Sequence, residues 1–260
     1  MERPRGESGA RDRARTRRLR LRRAPLVVAA FVVVAGLGYL GARETSVFAL
    51  KTIEVEGAPE PVAAQIRQAL QPFTGNSLTA LDADDVERRV EALPTVLTAE
   101  ADRDFPHSLR LVVRAERPVA VVRRASDAWL VSERGRVMTP LEPGALAKLP
   151  RVWLGPDVEL DAGTFLLPDQ GGAAIAALAR LPADFPGRIA AARGTPDELV
   201  LVLGTQTELR LGEADQLRLK LAAAATVLRD LDPTERKALE YLDVSLPGRA
   251  VVLPKAQVEA

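Results

Sequence analysis

The stretch ALPTVLTAEADRDFPHSLRLVVRAERPVA, residues 92–120, decides the fold of this chain. Residues 99–104 and 109–115 within it alternate between apolar and polar side chains, which is the pattern of β-strands. A Phe-Pro-His-Ser segment at residues 105–108 separates the two strands and supplies turn residues. The stretch therefore predicts a β-hairpin, with His107 as an exposed residue of its turn.

One strand pattern and two helical patterns precede this hairpin. The strand is expected at residues 51–56, and the first helix at residues 61–70, where apolar residues fall on one helical face. A second helix is expected to begin after Asp82 and to end at Pro94. The order β-α-α-β-β predicts a compact α+β unit at residues 47–117, with two helices on one face of a three-stranded sheet.

Three aspartates, Asp82, Asp84 and Asp85, lie together at the start of the second helix. Acidic residues at this position cap the helix and complement its dipole, which is the interpretation we favour. A cation site is the alternative, but the spacing of an EF-hand loop is absent.

After residue 117 the pattern changes to short apolar runs punctuated by Gly and Pro, which predicts a mostly β domain at residues 118–253. Helices are expected at residues 173–181 and, late in the domain, at residues 213–231. Strands are expected at residues 119–123, 129–131, 137–138, 151–154, 188–193, 199–203, 208–211, 239–246 and 250–253. Residues 254–260 form a C-terminal tail.

The other end of the chain predicts a membrane anchor. Residues 24–42 carry no charge, and nineteen helical residues would extend about 28 Å, close to the thickness of a bilayer core. Residues 1–23 contain ten arginines and three acids, a net charge of +7, which places this tail in the cytoplasm. The sequence thus indicates a single transmembrane helix of type II topology, with the helix and the Arg-rich tail both in contact with membrane lipid. A cleaved signal peptide is the alternative, but the basic and apolar segments are long for one.

Composition excludes several classes of function. The residues after the tail carry 26 basic and 32 acidic side chains, so the folded part is acidic, unlike a nucleic-acid-binding domain. Cysteine is absent and His107 is the one histidine, which leaves no residues for a thiolate or His-rich metal site. Paired carboxylates could still support catalysis, but Asp243 has no second acid at a suitable spacing. We therefore expect no catalytic, metal or cofactor site and no small-molecule substrate.

A series of short motifs follows in a fixed order along most of the chain. They are residues 50–57, 75–78, 92–120, 130–135, 149–156, 211–212, 220–221, 241–244 and 250–251. Their order and spacing resemble the FtsQ/DivIB family of bacterial cell-division proteins. Two departures stand out: Thr95 replaces an aromatic residue typical of the family, and Ser245 with Leu246 replaces a common Arg-aromatic pair.

The resemblance implies a cytoplasmic tail, one membrane helix, a POTRA domain and a larger β domain. It also implies a non-enzymatic scaffold at the septum that binds two small membrane proteins, FtsL and FtsB, and helps control septal peptidoglycan synthesis. A partner strand would pair with the edge of the last strands. The expected partner-binding residues are Tyr241, Ser245, Leu246, Gly248, Arg249, Ala250 and Val251. The alternative is a POTRA-containing protein of an export or outer-membrane assembly system.

Overall fold

The computed structural model of the protein describes residues 32–33, 48–142, 148–246 and 248–255. Its first unit is a three-stranded sheet of β1 (Thr52–Glu56), β2 (Val96–Asp104) and β3 (Ser108–Ala115). Strand β3 lies in the middle, parallel to β1 and antiparallel to β2. The predicted hairpin of β2 and β3 is thus present, and β3 lies between β2 and β1 in the sheet.

Two helices pack on one face of this sheet, α1 (Glu60–Ala69) and α2 (Ala83–Glu91). Helix α2 begins where Asp82 caps it, with the Asp82 carboxylate accepting a 3.1 Å hydrogen bond from the Asp84 amide. This bond confirms the capping interpretation of the aspartates. Apolar residues at helical spacing face the sheet and are buried in its core, namely Ile66, Val86 and Val90.

The turn of the hairpin differs from the expectation in one respect. His107 lies in the turn, but it is partly buried and one of its ring nitrogens is 3.2 Å from the Ala49 carbonyl oxygen. The reason is that the segment leading into β1 passes under the turn, since the Lys51 amide donates to the His107 carbonyl. The prediction of an exposed His107 was therefore wrong.

The second unit is built on a nine-stranded sheet in the order β12-β11-β10-β9-β8-β7-β4-β5-β6. Its strands are β4 (Pro118–Arg124), β5 (Asp127–Ser132), β6 (Val137–Pro140), β7 (Arg151–Trp153), β8 (Ile189–Gly194), β9 (Leu199–Leu203), β10 (Glu208–Gly212), β11 (Leu239–Leu246) and β12 (Arg249–Pro254). The neighbours β4 and β7, β7 and β8, and β10 and β11 are parallel, and the other neighbours are antiparallel. The unit is mostly β, as expected.

Three helices belong to this second unit, α3 (Gly172–Ala179), α4 (Leu217–Asp230) and α5 (Pro233–Ala238). Helices α3 and α4 bury apolar residues against the sheet. Helix α4 begins four residues later than predicted, because Gln216 has a left-handed φ of 44° that ends the preceding loop. The short helix α5 was not predicted, although its capping box of Asp232 and Glu235 is visible in the sequence.

Side chains of the second unit contact the first. The Arg136 guanidinium, just before β6, donates to backbone carbonyls at the end of α2 and the start of β2. Nearby, the Arg134 guanidinium lies 3.5 Å from the buried carboxylate of Glu116, which connects β3 to β4. The Glu116 amide also donates a 2.9 Å bond to the Thr95 carbonyl. These contacts form a polar joint between the two units.

The predicted cytoplasmic tail at residues 1–23 and the predicted transmembrane helix at residues 24–42 lie outside the described residues, apart from a helical pair at residues 32–33. Among the described residues, no helix has both the length and the apolar character to cross a bilayer.

Candidate interaction edge

Strand β12 is the outermost strand of the nine-stranded sheet, and its side chains are exposed throughout. One side of β12 pairs with β11, and no described strand pairs with its other side. Three consecutive aliphatic residues stand at this edge, with Val251, Val252 and Leu253 exposed by 45%, 40% and 40%. An unpaired strand with an exposed apolar run is a template for pairing with another chain.

The hairpin of β11 and β12 brings the predicted partner-binding residues together. Tyr241 is opposite Leu253, Asp243 is opposite Val251, and Leu246 is opposite Arg249. Because side chains alternate along a strand, Tyr241, Asp243, Val251 and Leu253 share one face. The members of the predicted set at the turn, which are Leu246, Gly248, Arg249 and Ala250, are all exposed.

Strand β10 extends this face into the sheet. Glu208 is opposite Tyr241, and Arg210 is opposite Asp243. The Arg210 guanidinium lies 4.0 Å from the centre of the Tyr241 ring and also donates a 3.1 Å bond to the Glu208 carboxylate. A second arginine, Arg193 of β8, pairs with the same carboxylate. Two guanidinium groups therefore share the Glu208 carboxylate, and Asp243 is a second acid on the same face.

Ser245 packs closely against Gly212 at the end of β10. A Cβ atom added to Gly212, whose φ is +61°, would lie only 2.8 Å from the Ser245 Cβ. The Ser245 amide also donates a 2.9 Å bond to the Asp243 carboxylate, at an irregularity in the pairing of β11 with β12. The position is therefore partly buried and closely packed, which is a structural role that the sequence motif did not reveal.

Sequence reasoning missed the contribution of Arg193, Glu208 and Arg210. The positions of Glu208 and Arg210 beside Tyr241 depend on the parallel pairing of β10 with β11, which are separated in the chain by helices α4 and α5. The closing motifs gave no signal for this pairing. The available signal was the alternation of Glu208 and Arg210 with the buried Leu209 and Leu211.

Two of the other sheet edges are covered. At β2, the amides of Ala99 and Ala101 donate to the carboxylates of Glu91 and Glu87 on helix α2, with bonds of 3.1 and 2.8 Å. At β6, Val137 exchanges backbone bonds with residues 163–164, where the Val137 amide reaches the Thr164 carbonyl at 2.8 Å. Strand β1 also ends a sheet, but its exposed side chains are polar. The edge of β12 is thus distinguished by its exposed aliphatic residues.

The loop between β10 and α4 is held in place by a buried lysine. Lys220 is buried, with 1% of its surface exposed, and its ammonium group donates to the Glu213 carbonyl at 2.8 Å and to the Asp215 carboxylate. The hydrogen bond from Lys220 lowers the pKa of Asp215 below its ordinary value. The described residues contain no cluster of three or more His, Cys, Asp or Glu side chains able to hold a metal ion.

Comparison with known families gives two adjoining matches. Residues 48–115 match the family model described as the POTRA domain of FtsQ type. Residues 120–245 match the model described as cell division protein FtsQ/DivIB, C-terminal. Together these models cover both sheets of the structure, apart from β12.

Relatives with the description cell division protein FtsQ include the following two. The protein from Rhizobium meliloti strain 1021 is 27% identical over 211 residues, which is 79% of this chain and 62% of the relative. The protein from Myxococcus fulvus is 29% identical over 188 residues, which is 71% of this chain and 65% of the relative. The alignments thus span somewhat less than two thirds of each relative.

One similar solved structure is the major extracytoplasmic domain of the trans isomer of the cell-division protein DivIB from Geobacillus stearothermophilus. It is 20% identical and aligns over 45% of this chain and 98% of its own, with a TM-score of 0.30. A TM-score this low supports no conclusion about the fold of this chain.

Proposed function

The chain belongs to the FtsQ/DivIB family of cell-division proteins, and from this premise we propose that it is a non-enzymatic scaffold of the division machinery. In this proposal it binds membrane proteins resembling FtsL and FtsB and helps control septal peptidoglycan synthesis. The match of residues 120–245 to the family's C-terminal model favours division over the alternative of an export or outer-membrane assembly system.

The observation that supports this proposal best is the exposed aliphatic edge of β12. A partner strand would add to this edge through backbone hydrogen bonds, while the side chains of Val251 and Leu253 would contact alternate residues of the partner. The covered edges at β2 and β6 offer no such pairing. The proposed binding residues remain Tyr241, Ser245, Leu246, Gly248, Arg249, Ala250 and Val251.

Arg210 supplies a charge that Ser245 lacks. In the family, the arginine at the position of Ser245 helps to hold an acidic residue of the partner. Here Arg210 of β10 lies two strands from the free edge, beside Tyr241, and the exposed Arg249 lies next to the turn itself. We propose that Arg249 takes over the contact with an acidic partner residue, with Arg210 as a second basic group on the face of Tyr241.

The test replaces Val251 and Leu253 together by Glu in the full chain and measures co-purification with the FtsL-like and FtsB-like proteins of the same genome. Charge at an apolar strand edge opposes pairing, so we expect the complex to be lost. The matched control is Val112→Glu, because Val112 is an equally exposed valine on β3 of the other sheet. Undiminished co-purification of the double variant would overturn the proposed edge.

Topology and location are also part of the proposal. Residues 24–42 anchor the chain in the membrane with residues 1–23 in the cytoplasm, and the protein gathers at the division septum. N-terminal sequencing of the mature protein tests the anchor, since a cleaved signal peptide would remove Met1. A fluorescent fusion tests the septal location, and an even distribution around the cell would contradict it.

A further inference from the structure

A groove of about 600 Å³ lies in the second unit, between the length of helix α3 and the beginning of helix α4. Its walls are mainly apolar and include small residues of α3 and the first turn of α4. The apolar lining residues used here are Pro168, Ala173, Ala176, Pro196, Leu217 and Leu219. Leu219 is 53% exposed at the rim, although it belongs to a helix whose other leucines are largely buried.

The charged side chains that line the groove are both basic, Arg180 and Arg218. The Arg180 guanidinium donates a 2.8 Å bond to the Ala176 carbonyl of its own helix and pairs with no acid in the described chain. For Arg218, too, no carboxylate lies within ion-pair distance among the described residues. By contrast, Arg229 on the same helix as Arg218 pairs with Asp184 at 2.8 Å.

The amino-terminal end of helix α4 adds positive potential to the groove. Helices α1, α2 and α5 each carry an acidic residue in their first turn, whereas α3 and α4 carry none and have no side-chain cap. The nearby Asp215 carboxylate is already bonded to the buried Lys220. The amino-terminal end of the α4 dipole therefore lies at the groove, whereas α3 borders the groove along its length as far as Arg180, which follows its carboxyl end.

We propose that this groove docks a peptide segment of a partner protein in which apolar side chains alternate with acidic ones. An apolar side chain enters between α3 and α4 beside Leu219, and carboxylates lie against Arg180 and Arg218. Charge complementarity selects this occupant, because the apolar lining favours a hydrophobic side chain, while the two arginines and the amino-terminal end of α4 favour negative charge. The groove is separate from the β12 edge, so this site does not depend on the function proposed above.

The test uses the purified full chain in detergent micelles and a fluorescein-labelled peptide of leucine and glutamate, with binding followed by fluorescence anisotropy. The comparison peptide carries lysine in place of every glutamate. We expect the acidic peptide to bind, the basic peptide to bind at least about tenfold more weakly, and added salt to weaken the acidic complex. Absence of binding by the acidic peptide, or equal binding of both peptides, would overturn the proposal.

The double variant Arg180→Glu with Arg218→Glu tests whether the acidic peptide binds in the groove. Both side chains are exposed, so the fold should persist, which a thermal melt verifies. We expect this variant to bind the acidic peptide at least about tenfold more weakly, and the control Arg229→Glu to bind it as the unmodified chain does. Equal weakening in the control would assign binding to general surface charge and contradict the groove.

Two other occupants are distinguished by further measurements. Sedimentation of the full chain would show self-association, and a dimer abolished by the double variant would assign the groove to a second copy instead. Anionic phosphatidylglycerol vesicles test a lipid occupant. If the unmodified chain binds the vesicles but not the acidic peptide, and the double variant does not bind the vesicles, the peptide proposal is rejected.

Discussion

Arg136 donates a 2.9 Å hydrogen bond to the carbonyl oxygen of Val96, so a side chain next to β6 holds the first residue of β2. The same guanidinium reaches the carbonyls of Glu91 and Ala92 at 3.4 and 3.3 Å, at the end of helix α2. A cation at the carboxyl end of a helix also interacts favourably with its dipole. One arginine thereby connects the helix and the sheet of the first unit to the second unit.

The variant Arg136→Ala should loosen this joint. We expect a loss of about 1–3 kcal/mol in the free energy of unfolding, because several carbonyls lose a charged donor. The chain has no cysteine, so cysteines introduced at Asp102 and Ser126 can carry spin labels without background. Electron–electron resonance should then show a broader distance distribution between the two units.

The matched control for that measurement is Arg110→Ala, since Arg110 is an exposed arginine on β3 whose nearest acid, Glu56, is 3.9 Å away. It should leave the distance distribution unchanged. An Arg136→Ala distribution as narrow as that of the unmodified chain would mean that the remaining contacts fix the joint without this side chain.

Substitution of Gly212 should destabilise the sheet where β10 meets β11. In Gly212→Ala the new Cβ would lie 2.8 Å from the Ser245 Cβ, and the φ of +61° disfavours a side chain. We expect a loss of about 1–3 kcal/mol in urea unfolding. Gly75→Ala is the control, because Gly75 has a φ of +90° but open space around it, so it reports backbone strain alone.

A double-mutant cycle separates the contact from the strain. Adding Ser245→Gly to Gly212→Ala removes the neighbouring Cβ, so part of the lost stability should return. Strictly additive effects of the two substitutions would show that the close approach contributes nothing.

Removal of Glu87 and Glu91 should uncover the edge of β2. The double variant Glu87→Ala with Glu91→Ala leaves the Ala101 and Ala99 amides without their carboxylate acceptors. We expect a loss of about 1 kcal/mol for each hydrogen bond and faster hydrogen exchange at these two amides. Exchange rates that match those of the unmodified chain would contradict the covering role of the glutamates.

Acid should weaken the contact between Asp215 and Lys220. The folded-state pKa of Asp215 is lowered from 3.8, so this contribution to stability is present above that value and is lost as the pH falls through the lower folded pKa. In Asp215→Asn, the decline of stability below about pH 4 should therefore be shallower. Thermal melts across this range measure the difference, and a decline as steep as in the unmodified chain would contradict it.

The local pattern of the sequence was enough to predict most individual elements, because strand alternation and helical periodicity depend on neighbouring residues. It located strands β11 and β12 to within one residue at each end. It could not pair β10 with β11, since a parallel neighbour connected through α4 and α5 leaves no short-range mark. The stacking of Arg210 on Tyr241 was unpredictable for the same reason.

The joint and the groove escaped prediction because they arise from contacts between distant segments. Nothing near Arg136 indicates that its partners lie at the end of α2, more than forty residues away. Likewise nothing in the sequence distinguishes Arg180 and Arg218 from other surface arginines. Only the packing of α3 beside α4 brings them to one groove. The turn at His107 was predicted correctly from local sequence. The partial burial of the His107 side chain was not, because it depends on the segment before β1.

The position of β11 and β12 along the chain has a consequence for synthesis. These strands follow the seven other strands of their sheet, so the edge of β12 exists only after every preceding strand has been synthesised. A product truncated before β11 would leave β10 as the last strand and would lack the hairpin altogether. The proposed partner binding at β12 would then act as a check on completeness, because only molecules that contain the last hairpin could bind.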